Sequence, residues 1–358
     1  MIRSGLRIRI LEPSSTTACL AGVPSPLVTA REVARRAGVS QPTVSRVVAG
    51  HPSVGPEIRE RVLAAMRETG YRPNAAARAM RTGNSGNVGV VTARLHNPMY
   101  PELLQLLGRA LRGAGLRMMV WNADETEGEF ALDAARQGMV DGMIFTSANS
   151  DSTHLGEALA GRVPVVLINR LVEGWRTDQV VSDNRAGGAM VADYFLRGGR
   201  SRPVLLSGPL QPSTIRDREA GFRAALAAAG TGDLPTARVE RFTYDEAFAA
   251  LSRLLADGVS PDAVFCTNDL LGLGGLDALR AAGRRVPEDA WVVGYDDIPM
   301  AAWRAFDLTT VRQPLEEMVR RAVELLLRRL GGDLTDPSSL CLPAELVLRG
   351  SSGRPGPS

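Results

Sequence analysis

The chain has 358 residues, 44% of them hydrophobic and 23% charged, with a formal net charge of +3; this is globular composition, long enough for two or three domains. No run approaches the roughly 18 apolar residues of a membrane span, so no membrane partner is expected. Cys19, Cys266 and Cys341, like His51, His96 and His154, lie too far apart for a disulfide framework or a zinc site, which predicts a reducing, cytoplasmic home and no metal or other cofactor.

Every basic side chain is arginine, and the distribution is uneven. Residues 29–83 hold ten Arg against four Glu, the first 27 residues three Arg against one Glu, and residues 84–358 hold 29 Arg against 34 acidic residues. Such asymmetry suggests a small module for a polyanion joined to a larger, mildly acidic body.

Residues 1–27 contain "LEPSSTTACLAGVPSP" and no continuous apolar segment of signal-peptide length. They are read as a disordered extension or as a start assigned too early. The organised pattern begins with "TAREVARRAGVSQPTVSRVVAG". Thr29 with Glu32 makes a capping box, Val33, Ala34 and Ala37 form one apolar face, and Gly38 ends the helix. Ser40 caps a second helix with Pro42 in its first turn and Val44, Val47 and Val48 inward. A third helix starts at Gly55–Pro56, offers Ile58, Val62, Leu63 and Met66 to the core, and stops at Gly70. Residues 28–73 are thus predicted to form an all-α helix-turn-helix headpiece. A protein-binding bundle would explain its core but would leave the excess charge and the outer face of the second helix unused.

Residues 74–87, "NAAARAMRTGNSGN", combine helix formers with a Gly/Asn/Ser tether. Fewer than about 12 residues rarely hold a helix alone in water, so a hinge that orders only against a partner is expected. From there to residue 350, apolar runs ("VGVVT", "LRMMVWN", "VDGMIFT", "VPVVLIN", "RPVLLSG", "PDAVFCTN", "AWVVGYD") alternate with helical stretches. That pattern marks parallel strands covered on both faces, in more units than one sheet holds. Polar residues close the strands at Thr146, Asn169, Asn268, Asp269 and Asp296, where ligands of such sheets bind. Residues 351–358 are read as a disordered tail.

Catalysis finds little support. "GLGG" at 272–275 begins inside a predicted helix and lacks GxGxxG, and no GxSxG, phosphate-binding loop or HExxH is present. The protein is expected not to be an enzyme; the alternative to a DNA-binding regulator is a solute-binding protein without DNA activity.

"VSRVV" and "GYRPNAAARAMRTG" resemble the signatures of LacI-type transcriptional regulators, and the similarity continues through "SDNRAGG", "GPLQPSTIRDREAGF", "TNDLLGLGGLDALR", "VVGYDDIP" and "LTTVRQPLEEM" to about residue 350. The resemblance implies a two-lobed α/β effector domain of periplasmic-binding-protein type, a homodimer, double-stranded operator DNA and a small-molecule effector as partners, and a repressor's action. By position it implies that Gln41, Pro42 and Arg46 face base edges, and that Asn74, Arg78 and Met80 belong to a hinge on DNA, Met80 as the minor-groove wedge. Met80 packing on the core is the alternative. Ser40, Thr43 and Ser45 suit phosphate oxygens or, equally, capping. In the body the resemblance places Arg218, Asp296 and Asn268 as polar effector contacts and Met99, Tyr100, Thr146, Thr214 and Phe242 as pocket lining. Arg94 stands where the family pattern has an acid, and Pro212 where purine-responsive members carry Arg, which favours a sugar over a purine.

Overall fold

The computed structural model describes residues 28–72, 84–123, 127–148, 153–161, 163–232 and 234–353. The chain divides into two units, Met1–Arg78 and Ala79–Ser358.

In the first, three helices, α1 (Ala30–Ala37), α2 (Gln41–Val48) and α3 (Pro56–Thr69), enclose Val33, Ala34, Ala37, Val44, Val47, Val54, Val62 and Ala65. The turn between α1 and α2 depends on Gly38 at φ 64°, a left-handed conformation that costs glycine little. Arg61 of α3 donates from Nη2 to the Ala37 carbonyl at 2.5 Å, so a side chain satisfies the end of α1 and locks the turn. Two sequence expectations shift. Only half of the capping box forms: Thr29 Oγ1 accepts from the Glu32 N–H at 3.3 Å, while the Glu32 carboxylate pairs with Arg35 at 2.6 Å. Ile58 is exposed, because it sits in the first turn of α3 and Val54, from the preceding loop, fills the core there.

The second unit holds two six-stranded sheets. One has the order β11-β5-β4-β3-β1-β2: β1 (Asn87–Thr92), β2 (Arg117–Asn122), β3 (Gly142–Phe145), β4 (Val165–Ile168), β5 (Asp178–Ser182) and β11 (Ser339–Leu342). The other has the order β12-β10-β9-β8-β6-β7: β6 (Pro203–Ser207), β7 (Thr236–Arg238), β8 (Ala263–Cys266), β9 (Trp291–Asp296), β10 (Thr309–Arg312) and β12 (Glu345–Val347). All ladders are parallel except β10 with β12. Strands β3, β4, β8 and β9 are buried along their whole length, the reason their sequences read as largely apolar runs.

The helices are α4 (Met99–Gly113), α5 (Glu127–Arg136), α6 (Thr153–Ala160), α7 (Asn184–Arg197), α8 (Ser213–Ala228), α9 (Tyr244–Ala256), α10 (Asp269–Ala281) and α11 (Leu315–Leu330). The chain crosses between lobes three times: after β5, after β10 and between β11 and β12. Helix α11 follows a strand of the second lobe but packs on β4 and β5 of the first. There Arg329 pairs with the buried Asp178 at 2.6 Å, and Asp178 also accepts from the Ser338 N–H at 2.7 Å.

Both ends of the body lie elsewhere than expected. The Asp141 carboxylate accepts from the Ser85 N–H (2.6 Å), the Ser85 hydroxyl (2.9 Å) and the Gly86 N–H (2.7 Å), so the body takes over from the tether at Ser85. Residues 351–353 of the expected tail pack on the body. Ser351 Oγ donates to the Val292 carbonyl at 2.6 Å and accepts from the Thr309 N–H at 2.8 Å, and the Tyr194 hydroxyl donates to the Gly353 carbonyl at 2.5 Å. Small hydroxyl residues that look like linker composition here satisfy buried backbone groups. Among the described residues no helix is long and apolar enough to cross a membrane.

Candidate functional site

The outer face of α2 is the first candidate. Gln41, Pro42 and Arg46 are exposed, and the side chains of Gln41 and Arg46 make no hydrogen bond or ion pair among the described residues. By contrast, three of the four glutamates among the described residues of this unit pair with arginines, Glu32 with Arg35, Glu60 with Arg67 and Glu68 with Arg36. Ser40 and Thr43 are engaged with each other: the hydroxyls lie 2.8 Å apart, and Ser40 Oγ accepts from the Thr43 N–H at 3.4 Å. Their capping role is therefore realised in this structure, and Ser45 is half-buried. Asn74, Arg78 and Met80 fall outside the described residues.

The second candidate is a narrow cleft between the two sheets, bounding about 360 Å³ of non-protein space that includes open solvent. Residues at the carboxyl ends of the strands line it. Met99, Tyr100, Thr214, Arg218, Phe242, Asn268 and Asp296 come together there, with Arg94, His96, Asn97, Asn169, Arg170 and Ile215. Thr146 is not among the lining residues. It is fully buried behind them, its hydroxyl donating to Thr92 Oγ1 at 2.9 Å and so tying β3 to β1.

Arg218 and Asp296 form the centre. Arg218 Nη2 lies 2.9 Å from Asp296 Oδ1, with both side chains 3% exposed. Arg218 also donates from Nε to Asn184 Oδ1 at 2.8 Å and from Nη1 to the Thr267 carbonyl at 2.7 Å, and its guanidinium lies over the Tyr295 ring at 3.6 Å. Three of its five N–H groups are therefore committed, and the arginine is held as a fixed fork. Asp296 additionally accepts from Gln313 Nε2 at 2.8 Å. Burial pushes the Asp296 carboxyl up from its ordinary value, against the opposing pull of Arg218, Gln313 and Asn97. Asp269, fully buried beside it, is raised well above the ordinary carboxylate range by burial and by the Asp296 charge, while Thr310 and the Ile298 N–H partly offset this.

Helix packing places the fork. α7 and α8 approach until an added Cβ on Gly188 would meet the Arg218 carbonyl at 2.0 Å, and one on Gly221 the Arg185 carbonyl at 1.9 Å. Gly188→Ala is expected to cost about 1–3 kcal/mol by overpacking and to weaken effector binding by moving Arg218. Thermal unfolding and titration check this together, and a variant with unchanged Tm would show that the helices can part freely.

Asn268 uses Oδ1 to cap α10 through the Leu271 N–H at 2.9 Å, which leaves its amide nitrogen as the group with ligand-facing capacity. The lobes touch at the rim: the Leu171 N–H of the first donates to Ser213 Oγ of the second at 3.0 Å, and Arg94 lies over the Phe242 ring at 4.9 Å. Five non-glycine residues among those described adopt positive φ, and Arg94 (59°), Asn169 (72°) and Asp296 (111°) line the cleft. Strained backbone of this kind concentrates at ligand sites. Among the described residues no group of three or more His, Cys, Asp or Glu could hold a metal ion.

A basic helix-turn-helix with an uncommitted outer face, carried by a chain whose larger unit closes on a polar cleft, defines a ligand-controlled DNA-binding regulator. Residues 29–74 match the model of "Bacterial regulatory proteins, lacI family", and residues 192–352 match the periplasmic binding protein-like domain. The chain is 35% identical to the HTH-type transcriptional regulator CelR of Thermobifida fusca, over 89% of this chain and 96% of that one. It is 31% identical to the ribose operon repressor of Escherichia coli (strain K12), over 91% and 100%. Among solved structures it resembles a CelR–cellobiose complex (34% identity, TM-score 0.70, covering 91% of this chain and 100% of that one). It also resembles the lac repressor dimer bound to operator and an anti-inducer (27%, TM-score 0.81, covering 91% and 99%). The chain belongs to the lacI family of transcriptional regulators.

Proposed function

We propose that the protein acts in the cytoplasm as a dimeric repressor whose hold on a pseudo-palindromic operator is set by a small polyhydroxylated effector, and that it binds this effector without transforming it. In this reading α2 enters the major groove. Gln41 and Arg46 hydrogen-bond base edges, Pro42 makes apolar contact, Ser40, Thr43 and Ser45 face phosphates, and Asn74, Arg78 and Met80 engage the minor groove. The effector lies against Met99, Tyr100, Thr214, Arg218, Phe242, Asn268 and Asp296, with Thr146 supporting them from behind. The relatives named for cellobiose and ribose support a sugar-like ligand.

The observation that carries the reading is that polar groups of the cleft come from both lobes, Asn97 and Tyr100 from one, Arg218 and Asp296 from the other. A ligand gripping both biases their relative position. Its effect on operator binding must then be reciprocal, the operator changing effector affinity by the same factor. Fluorescence anisotropy on promoter DNA and calorimetry with and without DNA measure the two factors. Unequal factors, or no DNA binding at low salt, would refute the proposal.

A further inference from the structure

Resting on that reading of the cleft, we infer that Asp269 is a positioning residue for the effector: it holds the turn that carries Asp296, and so sets where the Asp296 carboxylate meets Arg218 and the ligand. Asp269 is not itself among the lining residues. It follows Asn268, which does line the cleft, and it starts α10.

The turn needs holding. β9 ends at Asp296, and both Asp296 and Asp297 have left-handed backbone, at φ 111° and 54°. Side chains other than glycine adopt that conformation at a cost and keep it only where the surroundings impose it. The Ile298 N–H directly follows the pair, and Asp269 Oδ2 accepts it at 2.8 Å. The second oxygen, Oδ1, accepts from the Thr310 hydroxyl of β10 at 2.5 Å. It lies so close to β9 that a Cβ on Gly294 would meet it at 2.2 Å, and Gly294 is the residue that Thr310 faces across the ladder. One carboxyl group therefore ties the start of α10 to the turn after β9 and to β10. Arg312 and Arg349 hold the Asp297 carboxylate at 2.6 Å each, and Gln313 reaches Asp296 Oδ1 at 2.8 Å. Those partners fix side chains, whereas Asp269 fixes the backbone.

Asp269 is fully buried, the charges that act on it are those of Asp296 and Asp297, and burial above all raises its carboxyl well above the ordinary range. It serves as a pair of hydrogen-bonding atoms in a fixed place, not as a counter-charge. An amide of the same shape can serve too, its oxygen accepting from the Ile298 N–H and its nitrogen donating to the Thr310 oxygen, because a hydroxyl accepts as well as donates. Alanine offers neither atom and leaves a buried N–H without a partner. The turn is then free to relax, and Asp296 moves away from the fork that Arg218 presents.

The test compares Asp269→Ala, Asp269→Asn and Leu251→Ala in the full chain, Leu251 being a buried residue of the same lobe, on α9, outside the cleft. Titration calorimetry with cellobiose and D-ribose, the sugars named with two relatives, measures binding, and thermal unfolding measures stability. Asp269→Ala should bind the sugar that the wild-type chain prefers about tenfold or more weakly, the loss expected when a buried hydrogen bond that shapes the site is removed. Asp269→Asn should stay within about threefold of wild type. Leu251→Ala should lower Tm and leave sugar affinity unchanged, which separates positioning from general loss of stability. Wild-type affinity in Asp269→Ala, an Asp269→Asn chain as impaired as the alanine variant, or an equal loss of sugar in Leu251→Ala would each overturn the inference. A wild-type chain that binds operator but neither sugar would overturn the sugar reading of the cleft and the inference with it. Failure to bind operator, with the sugar results as expected, would sink the regulator reading and leave the role of Asp269 standing.

Discussion

Asp296→Asn is expected to lose the effector response and to lower Tm while the chain still binds operator. The physical reason is the carboxylate's partner: Arg218, 3% exposed, has Asp296 at 2.9 Å as its counter-charge. Removing one member of a buried pair typically costs about 3–5 kcal/mol, because the other charge stays behind in a medium that solvates it poorly. Asparagine keeps the shape and the bond to Gln313, so the cost should fall toward the lower figure, within the reserve of a domain stable by about 5–15 kcal/mol. The double variant Arg218→Met/Asp296→Asn removes the stranded cation as well. It should regain much of the Tm and none of the effector response, because the fork that fixes the ligand is gone. Calorimetric unfolding and anisotropy with operator provide the readout. A single variant with wild-type Tm and wild-type response would show that the pair does neither job.

Arg46→Ala should weaken operator binding by about 1–3 kcal/mol, roughly tenfold to more than a hundredfold, and relax preference at one base pair. Arg46 is exposed and without an internal partner, so its removal costs the headpiece no fold contact, and the loss reports on DNA alone. Competition with single-base variants of the site decides the role: a uniform loss across sequences, with a shallower salt dependence, would make Arg46 a phosphate contact. Gln41→Ala gives the matching comparison one turn earlier. Pro42 between them offers no hydrogen-bonding side chain, so operator preference near it should rest on apolar contact such as a thymine methyl.

The headpiece was legible because its signals are local. Thr29, Gly38, Ser40, Pro42 and Gly70 each set a helix end through their own backbone or side chain. Ile58 escaped because helical spacing gives the face a residue lies on but not whether anything extends far enough to cover it. The central strands were legible from their apolar runs. β5, β7, β10, β11 and β12, with sequences such as "DQVVS", "TAR" and "SLCL", are too short or too polar to stand out. Arg218 and Asp296 were placed by resemblance, whereas their lock on Asn184, Thr267 and Tyr295 depends on helix α7 meeting α8 through Gly188 and Gly221, a long-range fact. Arg170 was missed for the same reason: its hydrogen bond to the Tyr100 hydroxyl joins residues 70 positions apart. Ser351 shows the limit of composition, since a Gly/Ser tail and a set of buried hydroxyl caps read alike.

The threefold passage of the chain between the lobes has a consequence for biosynthesis. The first lobe needs β11, residues 339–342, to complete its sheet and α11, residues 315–330, to cover it. On the ribosome neither is available until the strands β6 to β10 of the second lobe have been made, so the lobe begun first cannot close first. Pairings of such long sequence separation are slow to form and leave strand edges exposed meanwhile. A nascent chain stalled near residue 310 should therefore be held by chaperones or degraded, although it already carries every residue of the headpiece. Premature termination would then yield little of a DNA-binding fragment able to compete with the intact regulator.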